Sequence, residues 1–313
     1  MRSRVRIPRL VLAVLVALIS ISGLAQSSAY KPGAPVFMWK ISSKANTAYL
    51  VGSVHLGDKS MYPLPSVMEN AFAASSVLIV EVDIPKVDRE QMKQLMLSLG
   101  SYPDGDDLFK HISPETRAKL DTFLGGYDIP SEAFAKYRPW MVGLTVTMLP
   151  MSKAGLDPNE GIDMYFLNKA GDKRVEQLED AERQVMLLAE FPERASDASL
   201  SRSITQAASM NDHFASIASL WTQGGADQLD KLIASWDEGE SEEEKAFGRR
   251  LREERNPPMT ARLEKCLQSS LEKCFMVVGA AHVVGSEGIL KQLQTHGYRV
   301  EQATEVSTTP APK

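Results

Sequence analysis

Two histidines of this chain occur in matched settings. Gly52-Ser53-Val54-His55 closes the apolar run Tyr49-Leu50-Val51, and Gly279-Ala280-Ala281-His282 closes Phe275-Met276-Val277-Val278. Each run reads as a buried strand that ends at glycine, with the histidine just past its carboxyl end. Glycine permits a close backbone approach there, so the histidine can turn back over the sheet edge. One Gly-x-x-His is a weak signal, and a lone histidine after a strand is more often a hydrogen-bonded structural residue. Two copies near opposite ends of one domain say more. Carboxylates stand in comparable places: Glu81 ends the apolar run Val77–Val80, and Glu179 follows Lys173–Leu178. Gathered at one sheet edge, His55, His282 and Glu81 would suit a divalent metal (Mn, Zn, Co or Fe), whose open position activates water. Glu81, Glu179 and Arg255 form the expected catalytic set. Arg255, beside Asn256-Pro257-Pro258, would bind a substrate carboxylate or steady an oxyanion. A metal-free version makes Glu81 a general base, with either histidine as acid or orienting partner.

Other chemistries lack their residues. There is no His-Glu-x-x-His, phosphate loop, dinucleotide glycine fingerprint or Gly-x-Ser-x-Gly elbow. A net charge of -5, with no basic stripe interleaved with aromatics, argues against a nucleic-acid partner. His111, His213 and His296 lie in polar contexts and receive no role. Met92, Met96, Met141, Met148 and Met151 recur at helical spacing and read as core filling rather than sulfur ligands.

The elements that must position these residues predict an α/β fold, a mixed, mostly parallel central sheet with flanking helices and a large helical insertion. Val36–Ser42 and Thr47–Val54 read as a hairpin around Ser43-Lys44-Ala45-Asn46. A helix from Ser66 to Ala74 and the strand Val77–Asp83 follow as a parallel crossover, which would place His55 and Glu81 on neighbouring parallel strands. From about 86 to 157 the period is helical, with helices over Asp88–Leu99, Ser113–Leu124, Ser131–Ala135 and Trp140 to about Met148. Glu160–Ala170, Lys173–Leu178 and Ala181–Ala189 repeat helix, strand, helix. Further helices occupy about 195–270, with the charge-dense Asp237–Arg255 as a solvated helix and Met259–Ser270 next. Ser286–Thr295 is the last helix, Tyr298–Glu301 the last strand, and the tail from Ala303 is expected to be disordered.

The amino terminus reads as a targeting segment. Arg2, Arg4, Arg6 and Arg9 precede the apolar stretch Leu10 to Leu24, and small residues follow. That is the order of a secretory signal over residues 1–29, cleaved or retained as an anchor, and it implies export to the periplasm or beyond. Membrane association is expected only through an uncleaved segment. Residues 30–302 then form a single domain. Its two cysteines, Cys266 and Cys274, favour a disulfide in an oxidising compartment, tying a helix end to the start of the His282 strand.

Trp39-Lys40, Gly52-Ser53-Val54-His55, Glu81-Val82-Asp83, Pro139-Trp140, Gly161-Ile162-Asp163, Leu178-Glu179 with Glu182 and Gln184, Arg255-Asn256, and Gly279-Ala280-Ala281-His282 with Gly285 and Gly288 occur in this order. In that set the chain resembles the TraB/GumN family, related to the Tiki proteases and more distantly to ChaN-like and erythromycin-esterase-like proteins. The resemblance covers roughly Trp39 to Val300. It implies an α/β core with a helical insertion and a metal-dependent hydrolase whose shared polar set is His55, Glu81, Glu179, Arg255 and His282. Tiki-like relatives are proteases and ChaN-like relatives bind haem, so the resemblance implies a peptide or small-molecule substrate, or else non-catalytic haem or small-ligand binding in the same cleft. Asp180 departs from the pattern, in which threonine commonly follows the glutamate.

Overall fold

A computed structural model describes residues 30–208, 217–236 and 240–306. The elements are β1 (Pro35–Ser42), β2 (Thr47–Ser53), α1 (Ser66–Ala73), β3 (Val77–Val80), α2 (Arg89–Gly100), α3 (Pro114–Gly125), α4 (Pro139–Lys153), α5 (Ile162–Asn168), β4 (Arg174–Gln177), α6 (Ala181–Ala189) and α7 (Ser196–Ala208). A helical stretch over 217–222 (α8) follows. Then come α9 (Ala226–Trp236), α10 (Glu242–Leu251), α11 (Asn256–Gln268), β5 (Cys274–Gly279), α12 (Ala280–Val283), α13 (Ile289–Thr295) and β6 (Arg299–Thr304). The expected signal segment and His213 lie outside the described residues.

The sheet runs β4-β3-β5-β2-β1-β6, so the fold is the mixed, mostly parallel α/β arrangement the sequence predicts. β4, β3, β5 and β2 are parallel, and β1 joins β2 and β6 antiparallel. Every residue of β3 and β5 is buried, which is what a parallel strand covered by helices on both faces requires of an unbroken apolar run. One expectation is corrected here: His55 and Glu81 do not follow neighbouring strands, because β5 inserts between β2 and β3. The chain pairs β2 with β5, more than 200 residues downstream, whose six residues are all buried between β2 and β3.

Several boundaries move. Ser131–Phe134 is a 3-10 turn. The helix expected from Trp140 runs from Pro139, at the first helical position where its missing N–H costs nothing, to Lys153. Of the charge-dense segment, residues 237–239 lie outside the described residues, and the described part is helical from Glu242, where Ser241 and Glu244 form a reciprocal capping box. α11 begins at Asn256, earlier than the proline pair suggests, because both prolines fit the first turn. The tail does not dissolve at Ala303: β6 continues to Thr304, and buried Glu305 accepts hydrogen bonds from the backbone N–H groups of Ser66 and Val67, at the α1 N-terminus.

Two apolar clusters hold the molecule. The larger packs the sheet between α1, α5, α11 and α13, with Phe166, Phe275, Leu78 and Leu263 at its centre. The smaller joins Leu108, Leu120, Leu124, Val142 and Val146 of the helical insertion to Leu200 and Ile204 of α7. A disulfide joins Cys266 at the end of α11 to Cys274 at the start of β5, as the cysteine count suggested. Among the described residues no helix is long and apolar enough to cross a membrane.

Candidate functional site

The carboxyl ends of the four parallel strands bring together His55, Glu81, Glu179, Arg255 and His282. β2 and β5 lie side by side with Ser53 opposite Gly279, which puts the two Gly-x-x-His segments at one edge. Glu81 follows β3 directly, and the Glu179 N–H donates to the Glu81 carbonyl at 2.9 Å, so β4 delivers the second carboxylate beside the first.

Gly279 lies where they converge. A Cβ at this position would lie 3.0 Å from His55 Nε2, 3.1 Å from Glu81 Oε1 and 3.7 Å from His282 Cδ2. Close approach, not an unusual backbone angle, therefore favours glycine here, since any side chain would crowd His55 and Glu81. Its own N–H donates to Glu81 Oε1 at 2.5 Å, and His282 Nε2 stands 3.8 Å from Glu81 Oε2.

Each histidine is oriented through its other ring nitrogen. His282 Nδ1 lies 2.7 Å from Asn256 Oδ1. Asn256 Nδ2 donates to the Glu287 carbonyl at 2.8 Å, which fixes the amide with its oxygen toward the ring. His282 Nδ1 must then carry the proton, and its Nε2 lone pair faces Glu81. Burial pushes the His282 imidazole below its ordinary value, against the pull of Glu81. His55 Nδ1 instead faces Asp163 Oδ1 at 3.3 Å. Burial would lower His55, but the hydrogen bond and charge of Asp163, with the charge of Glu81, raise it to about 9. Its side chain is 57% exposed, so the ring sits in a crowded but open cleft that water reaches. Asp163 is held below the usual carboxylate range: burial opposes this, and the His55 contact and the Ser53 hydroxyl, which donates at 2.7 Å, outweigh it.

Arg255 sits in the turn between α10 and α11 and is engaged on every side. Its Nε donates to Glu179 at 2.8 Å, Nη2 to both Glu179 and Glu81 (2.8 Å to Glu81 Oε2), and Nη1 to the Leu251 carbonyl at 2.8 Å. It clamps the two carboxylates together, where the sequence suggested a hand free for substrate. Gln184 of α6 adds donors to Glu179 at 2.9 Å and Glu81 at 3.4 Å. For Glu81, burial would raise the carboxyl, but the two histidines, the Gly279 N–H and Arg255 together hold it below the usual range.

Sequence reasoning assigned no role to Asp163, Asn256, Ser53 or Gln184. Their signals were present as Gly161-Ile162-Asp163 and Arg255-Asn256. Gly161 is small because a Cβ there would meet the His55 carbonyl at 2.6 Å, and the Ile162 N–H donates to the Val54 carbonyl at 3.1 Å. This contact carries Asp163 to His55. Trp221 contributes from further away, its indole N–H donating to the Gly52 carbonyl at 2.6 Å.

The donor set fits a divalent cation in kind: the Nε2 atoms of two imidazoles, of which His55 must shed a proton to ligate, and a carboxylate, with each ring oriented through Nδ1 by Asp163 or Asn256. In spacing the set is open. Among the described residues, the one trio of ligand atoms within 4.8 Å of one another is Cys266, Glu272 and Cys274, whose sulfurs are consumed by the disulfide.

With this fold and this edge in view, the chain belongs to the TraB/PrgY/gumN family, whose model matches residues 37–302. Within it, a 149-residue stretch is 28% identical to the uncharacterized protein YbaP of Shigella flexneri, and a 148-residue stretch is 28% identical to the uncharacterized protein YbaP of Escherichia coli K12. Each alignment covers 47% of this chain and 53% of the relative, so the chain spans about half the length of the curated relatives it matches. No solved structure matches significantly.

Proposed function

We propose that the protein is an exported metal-dependent hydrolase acting on peptide or amide bonds. The observation that carries this reading is the convergence of His55, Glu81 and His282 on Gly279, with an Asp and an Asn on the far nitrogens of the two rings. His55, His282 and Glu81 would hold the cation, which supplies Lewis acidity and an activated water. Around it, Arg255 and the Gly279 N–H keep Glu81 ionised and aimed, and Glu179 holds Arg255 in place. Asp163 and Asn256 fix which imidazole nitrogen faces the site. The open side of His55 admits substrate.

The test is metal content of the mature domain by elemental mass spectrometry, with melting curves in Mn²⁺, Zn²⁺ and Co²⁺. Wild type is compared with His55→Ala/His282→Ala. Stoichiometric metal, or stabilisation that the double variant loses, is expected, together with loss of peptidase turnover in His55→Ala or Glu81→Ala. A fully active, metal-indifferent double variant overturns the reading. The Asp163–His55 pair favours a second reading, metal-free acid–base hydrolysis with Glu81 as base. Turnover that survives chelation but not Asp163→Asn selects it.

A further inference from the structure

His111 lies outside this site, in the helical insertion, and its surroundings are unusual for a residue in a surface turn. Both of its ring nitrogens face carboxylates. Nε2 is 2.9 and 3.0 Å from the two oxygens of Asp106, and Nδ1 is 3.3 Å from Glu193 Oε1. The ring stacks on Tyr102, with centroids 4.3 Å apart and planes at 11°. The Tyr102 hydroxyl donates to the same Glu193 oxygen at 3.2 Å, and Arg138 donates to the other oxygen at 3.4 Å while lying over the Tyr102 ring. Nearby Lys110 is turned away, toward Asp107 and the Gly105 carbonyl.

The backbone shows what this network joins. Tyr102 donates to the Lys136 carbonyl, and Arg138 to that of Gly100, each at 2.7 Å. Tyr102 and His111 belong to the segment between α2 and α3, Arg138 is the residue before α4, and Glu193 opens the 3-10 turn that leads into α7. Two segments of the insertion and the turn leading into α7 therefore meet around one imidazole.

A neutral imidazole carries one N–H, and only the imidazolium donates from both nitrogens. We propose that His111 is a proton-operated clasp, donating to Asp106 and Glu193 at once when charged and releasing the α7 side when neutral. The two-oxygen contact keeps the remaining proton on Nε2, so on deprotonation Nδ1 turns a lone pair toward Glu193 and that contact fails. The insertion is then tied to α7 while the imidazole is charged and looser once it is neutral. This inference goes beyond the proposed hydrolase and does not depend on it.

Hydrogen exchange of the full mature protein tests it, with intrinsic rates corrected for pH. Between pH 8 and 5.5, amides of 101–112 and 193–200 are expected to gain about two- to fivefold protection, in keeping with partly exposed ion pairs. His111→Gln, and separately Glu193→Gln, which can still accept from Tyr102 and Arg138, should flatten that gain while leaving the sheet amides as protected as in wild type. An equal gain in wild type and both variants overturns the clasp. So does a gain lost in His111→Gln but kept in Glu193→Gln, which would place the switch on Asp106 alone.

Discussion

The two Gly-x-x-His segments begin alike and end differently. After Ser53 the chain leaves β2 into a loop and offers His55 to solvent, with a carboxylate on Nδ1. After Gly279 it turns into α12 and buries His282, with an amide on Nδ1. The surroundings decide the charge: Asp163 raises His55 to about 9, while burial lowers His282 and Asn256 offers it no charge to offset that. The same motif therefore presents an exposed, readily protonated ring on one side of Gly279 and a buried, neutral one on the other. The second arm is also the more cross-linked: α11 and β5 form a helix–strand pair closed at its base by the Cys266–Cys274 disulfide and at its top by Asn256–His282.

The most severe way to break the comparison is Glu81→Ala, which removes the carboxylate that both histidines share. Arg255 keeps Glu179, so a loss of about 2–4 kcal/mol is expected rather than the full cost of an orphaned buried charge. Thermal denaturation would show this as a drop of several degrees, with turnover abolished. Cys266→Ser/Cys274→Ser opens an eight-residue separation and should cost about 2–3 kcal/mol in chemical denaturation. If the second arm is the braced one, amides of α11 and β5 lose protection in that variant while those of β2 do not.

Exchanging the partners sharpens the contrast. In chelated protein, NMR titration of the imidazole C–H signals should move His55 from about 9 down toward 6.5 in Asp163→Asn, and move His282 upward in Asn256→Asp. The signs for stability are opposite. His55, raised on folding, contributes stability that is complete below the unfolded value of ~6.5 and lost as pH rises through about 9. His282, lowered on folding, withholds protons that the unfolded chain binds, so its share of stability falls as pH drops below ~6.5. Wild-type melting at pH 6, 7.5 and 9.5 against Asp163→Asn isolates the first. The smallest effect belongs to Gln184→Ala, about 0.5–1.5 kcal/mol, since Arg255 still joins the carboxylates it bridges.

Much of this architecture was legible in residue order. Buried runs ending in glycine marked β2 and β5, carboxylates marked the ends of β3 and β4, and helical periodicity marked α2, α3 and α6. What misled was sequence adjacency: β3 was read beside β2, whereas β5 takes that place. Asp163 and Asn256 escaped because a polar residue at a helix start has a sufficient local explanation in capping. Only the partner across the fold shows otherwise. Arg255 was identified but misjudged, since its two carboxylates come from 76 and 174 residues away.

The sequence alone determined which side chains end at a strand's carboxyl edge, because hydrophobic period and glycine placement are local. The tertiary structure decided what each of those residues is. Charge state, tautomer and freedom to meet a ligand depend on the atoms within a few ångströms, and those atoms come from remote segments that only the packed sheet brings into reach.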